Sequence, residues 1–462
     1  MGLQLVRGVL LASLLTPAEF GVVAVVGIVT SYSTYADLGL SAAVIRQIPI
    51  AEGAQDTAGV RIWRWYALFF KLAAEFALSA VLLGVVLLQW DSLRPDLRFG
   101  LLTAAFVCVL QGVVVAQQTV FEAMRQFGRS AVLLTSFFGL NLVAGVLGAR
   151  LMGTRGVFLG QVVAFAVAVV VGVALGGWAA REPLQRERVR LLARIGIPLA
   201  VLNFFAYNLV YVDQVMVAAL LGRSSLGTYM MVLYVGSALG ALPLALGGVV
   251  SPMLMERYGA EGNAEAIREY TWRPVRVLAL ALPPLIALMW IAAPAVVTLL
   301  LPLYAESIAP MRIYLTGLFF YCLNLGVSST LLALNKHLFN VPIVIACIGV
   351  NVGLDIVFVG HLGWGLNGIA LGSAVTYFVY WMAHTTLVRR YYHQRIVEAV
   401  ARNLVSGWPG FMIAALVVLA WRLGYLDISR PLVEMLYLAP VLVVTVVRVS
   451  WARLPRLAHT GR

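Results

Sequence analysis

Apolar stretches of about 20 residues, separated by short polar breaks, run through the whole sequence. A helix needs about 20 mainly apolar residues to cross a bilayer. Hydrophobic residues make up 62% of the 462 residues and charged residues only 11%, whereas a soluble chain is about half apolar and about a quarter charged. The pattern predicts an all-α integral membrane protein and excludes a cytosolic enzyme, a secreted scaffold and a receptor with a large ectodomain. About 14 transmembrane spans are predicted, at residues 3–16, 20–45, 65–89, 99–121, 130–149, 157–178, 195–219, 229–251, 277–300, 312–333, 341–360, 367–388, 404–423 and 432–450.

Lysine and arginine residues are concentrated in alternate loops between the predicted spans. Most of the 33 basic residues fall in one set of loops, and the net charge of the chain is +13. Cytoplasmic loops of membrane proteins carry an excess of Lys and Arg. The bias predicts a multi-pass membrane protein with both termini in the cytoplasm. Loops that face an anionic leaflet explain the positive charge, and no nucleic-acid partner is implied.

Two weak internal repeats relate the halves of the chain. Residues 9–21 resemble residues 215–227 at an offset of 206, and residues 141–160 resemble residues 351–372. An offset of 206 contains six predicted spans, so both copies have the same topology, as in transporters built from two parallel repeats. This organisation predicts a six-helix lobe at 1–180, a cytoplasmic linker at 181–194, a second six-helix lobe at 195–400, and two extra spans with a basic tail at 401–462.

The sequence contains no classical catalytic signature. It has no P-loop, no HExxH and no CxxC, and its one GxGxxG, at 363–368, lies between two apolar spans and is interpreted as a tight turn. The three cysteines lie in apolar runs, which favours neither disulfides nor a metal site. We therefore expect a protein that is not an enzyme, with no catalytic residues, no cofactor and no metal.

Charged residues inside the predicted spans are the strongest functional candidates, because each costs about 2.5–3.5 kcal/mol at the membrane centre on insertion scales. Such residues usually face a cavity or a partner. Lys71 and Glu75 lie four residues apart on one helical face, either as an internal ion pair or as a pair that lines a cavity. Asp37 either caps a local helix break or binds a coupling ion.

Arg7 and Asp213 fall at equivalent positions of the repeat. Arg7 is a candidate to meet an anionic substrate, and Asp213 to balance Arg7 or bind a coupling ion. Asparagines in spans either hydrogen-bond between helices or line a path for sugars. The candidates for the substrate head group or a cavity are Arg7, Arg46, Lys71, Glu75, Asn203, Asn208 and Asn324; those for a coupling ion or a structural acid are Asp37, Asp213 and Asp355.

Two motifs carry a resemblance to a known family. Leu-Thr-Pro-Ala-Glu-Phe-Gly at 15–21, followed by Ala-Asp-Leu-Gly-Leu-Ser-Ala-Ala at 36–43, resembles the opening of the polysaccharide-biosynthesis flippases. Asp213, followed by Leu-Gly-Thr-Tyr at 226–229, is similar to the start of that family's second lobe. The family carries O-antigen, capsule or teichuronic-type repeat units and belongs to the multidrug/oligosaccharidyl-lipid/polysaccharide (MOP) exporter superfamily. The chain departs from the family in its short first span.

The resemblance implies two six-helix lobes around a central cavity, two added helices and transport by alternating access. The implied substrate is an undecaprenyl-pyrophosphate-linked oligosaccharide, with Arg7 and Arg46 as the nearest groups for the pyrophosphate. The implied partners are this lipid-linked oligosaccharide, the bilayer, H⁺ or Na⁺ as coupling ion, a polysaccharide polymerase and glycosyltransferases.

Three alternatives remain open at the level of sequence. A drug/cation antiporter of the same superfamily needs an acidic cavity and would not need Arg7. A flippase for another lipid-linked precursor would share the fold. A membrane-embedded glycosyltransferase or polymerase would need a large extramembrane loop, and the longest loops here have about 20–25 residues.

Overall fold

The structure, a computed structural model, describes residues 2–424, and all regular elements in that range are helices. The predicted all-α membrane fold is thereby confirmed. The α-helices are α1 (Gly2–Leu14), α2 (Pro17–Ser33), α3 (Leu40–Gly53), α4 (Thr57–Leu88), α5 (Pro95–Ala123), α6 (Phe127–Met152), α7 (Thr154–Ala174), α8 (Arg186–Leu220), α9 (Gly222–Glu261), α10 (Arg268–Leu300), α11 (Ile308–Cys322), α12 (Leu325–Ala333), α13 (Val341–Asp355), α14 (Gly365–Val388) and α15 (Ile396–Arg422).

Ten segments of the described chain are long and apolar enough to cross a membrane, and α1 and α2 are shorter apolar helices. The chain is therefore a multi-pass membrane protein. The predicted span at 20–45 is two helices, since α2 ends at Ser33 and α3 begins at Leu40. The predicted span at 432–450 lies outside the described residues.

The family motif at 15–21 forms the start of α2. The Thr16 hydroxyl accepts a hydrogen bond from the Glu19 backbone N–H, and the Glu19 carboxylate accepts from the Thr16 backbone N–H at 2.9 Å. This reciprocal capping box satisfies N–H groups that a helix start otherwise leaves unpaired. Pro17 follows the cap at the first helical position, where its missing N–H costs nothing. The motif thus fixes the point at which α2 begins.

The break between α2 and α3 is capped by Asp37. Its carboxylate accepts hydrogen bonds from the backbone N–H of Gly39 at 3.4 Å and of Ser41 at 2.9 Å, and from the Ser41 hydroxyl. Gly39 has φ +76°, a conformation that glycine adopts without a steric penalty. A Cβ at Gly39 would also collide with the backbone of Gly196. The Asp-Leu-Gly sequence therefore produces the local helix break that the sequence suggested at Asp37.

The chain divides into two compact units, one of residues 2–207 and one that begins at Asn208. The division falls within α8, on the C-terminal side of the linker suggested at 181–194. Of that stretch, residues 181–185 lie outside helices and α8 begins at Arg186.

Each unit has its own packed interior. In the first unit α6 and α7 form a closely packed hairpin, and α4 packs along α5 and against α3. In the second unit α11 is buried along almost its whole length and packs against α9, α10, α14 and α15. The polar groups described next lie inside these two units.

Candidate functional site

A buried charge cluster lies in the first unit, where α4 meets the break between α2 and α3. The Lys71 ammonium lies 3.1 Å from a Glu75 carboxylate oxygen and 3.7 Å from an Asp37 oxygen. It also donates a hydrogen bond to the Thr34 carbonyl at 2.6 Å. The exposed fraction is 1% for Lys71, 0% for Glu75 and 5% for Asp37. The burial favours the interpretation of Lys71 and Glu75 as an internal ion pair. The contact between Lys71 and Asp37 makes Asp37 a third member of the cluster.

Glu75 fits against α5 because residue 112 is glycine. A Cβ at Gly112 would lie 2.7 Å from the Glu75 Cγ, which is closer than carbon atoms pack. The Glu75 carboxylate pairs with the Lys71 ammonium, and the Ser33 hydroxyl and the Cys108 thiol lie nearby. Glu75 is thus a buried acid with one ammonium group as its charged partner.

Arg7 lies on α1 and faces α6. Its Nε donates to the backbone carbonyl of Asn141 at 3.3 Å. Gly145, one turn further along α6, leaves the space that the guanidinium occupies, since a Cβ there would lie 3.2 Å from Nε. The side chain is half-buried. α6 therefore positions the Arg7 guanidinium while part of the side chain stays accessible.

The second unit contains a buried acidic cluster. Asp213 on α8 accepts hydrogen bonds from the Tyr229 hydroxyl at 2.8 Å and from the Ser373 hydroxyl. Asp355, at the end of α13, is 0% exposed, and its two oxygens have no hydrogen-bond partner within residues 2–424. Gly372 lies directly beside the Asp355 carboxylate. Asp355 interacts electrostatically with Asp213, and two interacting buried carboxylates are expensive unless a proton or a cation accompanies them.

The second sequence repeat gives the two units the same local packing. In the first unit Gly160 on α7 packs against the backbone of Ala144 and Gly145 on α6. In the second unit Gly372 on α14 packs against Asp355 on α13. These contacts join matching positions of the two copies. The sequence repeat therefore corresponds to a repeated helix-pair contact.

Matching positions of the repeat carry opposite charges. Arg7 donates to the backbone of Asn141, and its counterpart Asp213 interacts with the side chain of Asn351, the counterpart of Asn141. A third matching position is Gly145 in the first copy and Asp355 in the second. The first copy thus holds a fixed cation where the second holds two acids. The offset of 206 paired Arg7 with Asp213 in the sequence, whereas the interaction of Asp355 with Asp213 is seen only in the structure.

The remaining candidates occupy different environments. Arg46 on α3 and Asn203 on α8 are exposed, and the Asn203 backbone carbonyl accepts from the Tyr35 hydroxyl at 3.5 Å. Asn208 is buried at 9% exposure. Asn324 is buried next to His384, with its side-chain oxygen 3.0 Å from the ring Nδ1. Asn324 therefore makes a hydrogen bond between distant parts of the second unit, as intramembrane amides commonly do.

We expect Asn324→Ala to destabilise the protein by about 1–3 kcal/mol, because it leaves the buried His384 ring nitrogen without its partner. The matched control is Asn203→Ala, which removes an exposed amide and should change stability by less than about 0.5 kcal/mol. Thermal unfolding of both purified variants measures the difference. Equal melting temperatures would mean that Asn324 has no structural role.

A cavity of about 710 Å³ lies in the second unit between α10 and α15. Its polar side carries two ion pairs, Arg268–Glu265 at 2.5 Å and Arg276–Glu269, and its walls include Trp272. No feature of the sequence predicted this cavity. Elsewhere, the three cysteines are buried and free, and no group of three potential metal ligands occurs between residues 2 and 424.

Comparison with solved structures shows the fold. An inward-facing multidrug resistance MATE family transporter of the MOP superfamily aligns with a TM-score of 0.73 and 14% identity, over 86% of this chain and 95% of that protein. A MOP superfamily transporter from Pyrococcus furiosus, described as having a binding pocket of reverse polarity, aligns with a TM-score of 0.58 and 14% identity, over 84% of this chain and 97% of that one. No curated protein matches the sequence.

The family follows from a second comparison. The family described as "Polysaccharide biosynthesis protein" matches residues 10–308, which is more than half of the chain and includes both motifs, at 15–21 and 36–43. The resemblance drawn from those motifs is confirmed, and the fold is that of membrane transporters. The chain therefore belongs to the polysaccharide biosynthesis protein family and has the fold of the MOP superfamily transporters.

Proposed function

We propose that the protein is a flippase that moves an undecaprenyl-pyrophosphate-linked oligosaccharide across the bacterial inner membrane by alternating access. The observation that carries the proposal is the family match over residues 10–308 in a chain with a transporter fold. A transporter that takes part in polysaccharide synthesis has a polysaccharide precursor as its natural cargo. The cargo would serve glycosyltransferases before it crosses and a polymerase afterwards.

Physical chemistry explains why such a cargo needs a protein. An unpaired hydroxyl that enters hydrocarbon costs on the order of 4–8 kcal/mol. A few sugars carry roughly ten hydroxyls, so the barrier for free crossing reaches tens of kcal/mol by the same scale. A polar path for the sugars removes this barrier while the polyprenyl tail stays in lipid. No bond needs to break, which agrees with a fold shared with transporters.

We assign Arg7 to the anionic head group. A guanidinium has five donors in a planar fork that suits phosphate oxygens, and α6 positions this one through the Asn141 carbonyl. Arg46 is the second candidate because it is exposed on α3. We assign the coupling ion, H⁺ or Na⁺, to Asp213 and Asp355, because these buried acids need a proton or a cation for charge balance.

The test is a flipping assay in liposomes that contain the purified protein. The probe is a polyprenyl-pyrophosphate oligosaccharide with a fluorescent sugar, and a cationic dye is the comparison cargo. We expect protein-dependent movement of the labelled sugar to the other leaflet and no transport of the dye. Gradient-driven dye efflux without glycolipid movement would instead identify a drug/cation antiporter of the same superfamily.

Arg7→Ala is expected to lower the flipping rate roughly 10- to 100-fold, because a hydrogen bond to a charged group contributes about 1.5–3 kcal/mol. The matched control is Arg150→Ala, which removes an exposed arginine from the last turn of α6. Both variants are compared at equal amounts of reconstituted protein. Wild-type flipping by Arg7→Ala would remove Arg7 from the head-group site.

Asp213→Asn/Asp355→Asn should abolish the stimulation of flipping by an imposed H⁺ or Na⁺ gradient, because neither amide can bind the ion as a carboxylate does. Asp96→Asn is the matched control, since Asp96 is half-exposed at the start of α5. The measured quantity is the ratio of rates with and without the gradient. An unchanged ratio in the double variant would place coupling elsewhere.

A further inference from the structure

The cluster of Asp37, Lys71 and Glu75 contains one more negative charge than positive charges. Its ionisable groups are two carboxylates and one ammonium, and all three are almost completely buried. The neighbouring elements contribute one further titratable group, the Cys108 thiol on α5, which is neutral in its ordinary state. No arginine or second lysine contacts the two acids among the described residues.

The polar groups around the cluster do not supply the missing positive charge. Those from α2 and α5 are Ser33, Thr34 and Gln111. The Ser33 hydroxyl donates to the Thr30 carbonyl, and the Gln111 amide donates to the Thr34 hydroxyl and the Thr30 carbonyl. A lone negative charge in a buried site is unfavourable. The cluster is therefore balanced when one of its two carboxylates holds a proton.

The two carboxylates differ sharply in their surroundings. Asp37 accepts hydrogen bonds from two backbone N–H groups and from the Ser41 hydroxyl, and hydrogen bonds of this kind favour the ionised form. The Glu75 carboxylate forms an ion pair with the Lys71 ammonium and lies near Ser33, whose hydroxyl donates to the Thr30 carbonyl. Glu75 accepts fewer hydrogen bonds than Asp37, so the proton that balances the cluster belongs on Glu75.

Lys71 connects Glu75 to the helix break. Its ammonium contacts Glu75, Asp37 and the Thr34 carbonyl at the same time. When Glu75 is neutral, the positive charge of Lys71 is matched with Asp37 and the carbonyl of the break. When Glu75 releases its proton to water, Glu75 competes with Asp37 for the same ammonium. The interaction of Lys71 on α4 with residues 34–39 is then weaker.

We propose that Glu75 is a proton-exchange site of the first lobe, and that Lys71 transmits its protonation state to the helix break at Asp37. This site is distinct from the acids Asp213 and Asp355 of the second unit. It goes beyond the proposed function, and its test needs no cargo, so a failure of the flippase assignment would not decide it.

The experiment is infrared spectroscopy of the purified full-length protein during a pH titration. A protonated carboxyl group has a carbonyl band that is absent from a carboxylate. Glu75 is the one fully buried glutamate within residues 2–424, so isotope labelling of glutamate side chains in the wild type separates its band from those of buried aspartates. We expect a band that shifts on labelling, disappears as the pH rises and is missing in Glu75→Gln. The control Glu52→Gln, which changes an exposed residue of α3, should keep the band.

Hydrogen exchange tests the second half of the proposal. At high pH, where Glu75 is ionised, the amides of residues 34–41 should exchange several-fold more slowly in Glu75→Gln than in the wild type. At low pH the two proteins should exchange at the same rate. The proton site is overturned if the wild type shows no glutamate band, or if Glu75→Gln keeps it. The link to the break is overturned if the two proteins exchange equally at both pH values.

Discussion

Replacement of Lys71 by methionine is expected to destabilise the protein by about 3–5 kcal/mol, because removal of one partner leaves an uncompensated charge in a buried site. Methionine keeps most of the volume and the flexible stem of lysine, so packing against α5 should change little. The lost interactions are those with Glu75, Asp37 and the Thr34 carbonyl. Unfolding of the purified variant, followed by helical circular dichroism, measures the effect.

Second substitutions show which acid carries the negative charge. With a proton on Glu75, the charge left behind by Lys71→Met is that of Asp37. Lys71→Met/Asp37→Asn should therefore recover much of the loss, since asparagine is also a good helix cap. Lys71→Met/Glu75→Gln should recover little. Recovery by the Glu75 change and not by the Asp37 change would reverse the assignment of the charge.

A surface ion pair provides the control for this series. Arg155 and Asp96 lie 3.6 Å apart, and their side chains are about half exposed. Exposed pairs contribute about 0–1 kcal/mol, so Arg155→Met should have an effect several times smaller than Lys71→Met. A similar loss in both variants would mean that Lys71 stabilises the protein through its aliphatic stem and not through its charge.

The sequence was most informative where a local rule applied. The spacing of Lys71 and Glu75 predicted a pair on one helical face, and the structure contains that pair. The Asp-Leu-Gly sequence suggested a helix break as one of two roles for Asp37, and in the structure Asp37 caps such a break. The family motifs pointed to the family that the comparison then confirmed. Each of these predictions depends on residues a few positions apart in the chain.

Contacts between distant residues could not be predicted in the same way. Asp37 joins Lys71, and Asn324 joins His384, only because particular helix faces meet. Helices in lipid are apolar on nearly every side, so hydrophobic periodicity does not reveal which face packs inward. For the same reason the sequence named Asp213 and Asp355 as separate candidates, and only the structure shows that the two acids interact.

The glycines of the α6–α7 hairpin should be the positions least able to accept a larger residue. A Cβ at Gly148 would overlap the backbone of Gly156, and a Cβ at Gly156 would overlap that of Gly148. Small residues let membrane helices approach closely, and dispersion contacts between the backbones then hold them together. Gly156→Ala should therefore destabilise the protein by about 1–3 kcal/mol or more, since overpacking forces the helices apart.

Gly139→Ala on α6, the other helix of the hairpin, is the matched control, because nothing lies within 4 Å of its added Cβ. Alanine favours helix by up to about 1 kcal/mol over glycine, so this variant should be at least as stable as the wild type. A shift of α6 also moves the Asn141 carbonyl that positions Arg7. Gly156→Ala should then lose flipping activity together with stability, while Gly139→Ala keeps both. If Gly156→Ala flips glycolipid at the wild-type rate despite a lower melting temperature, the position of Arg7 does not depend on the close approach of α6 and α7.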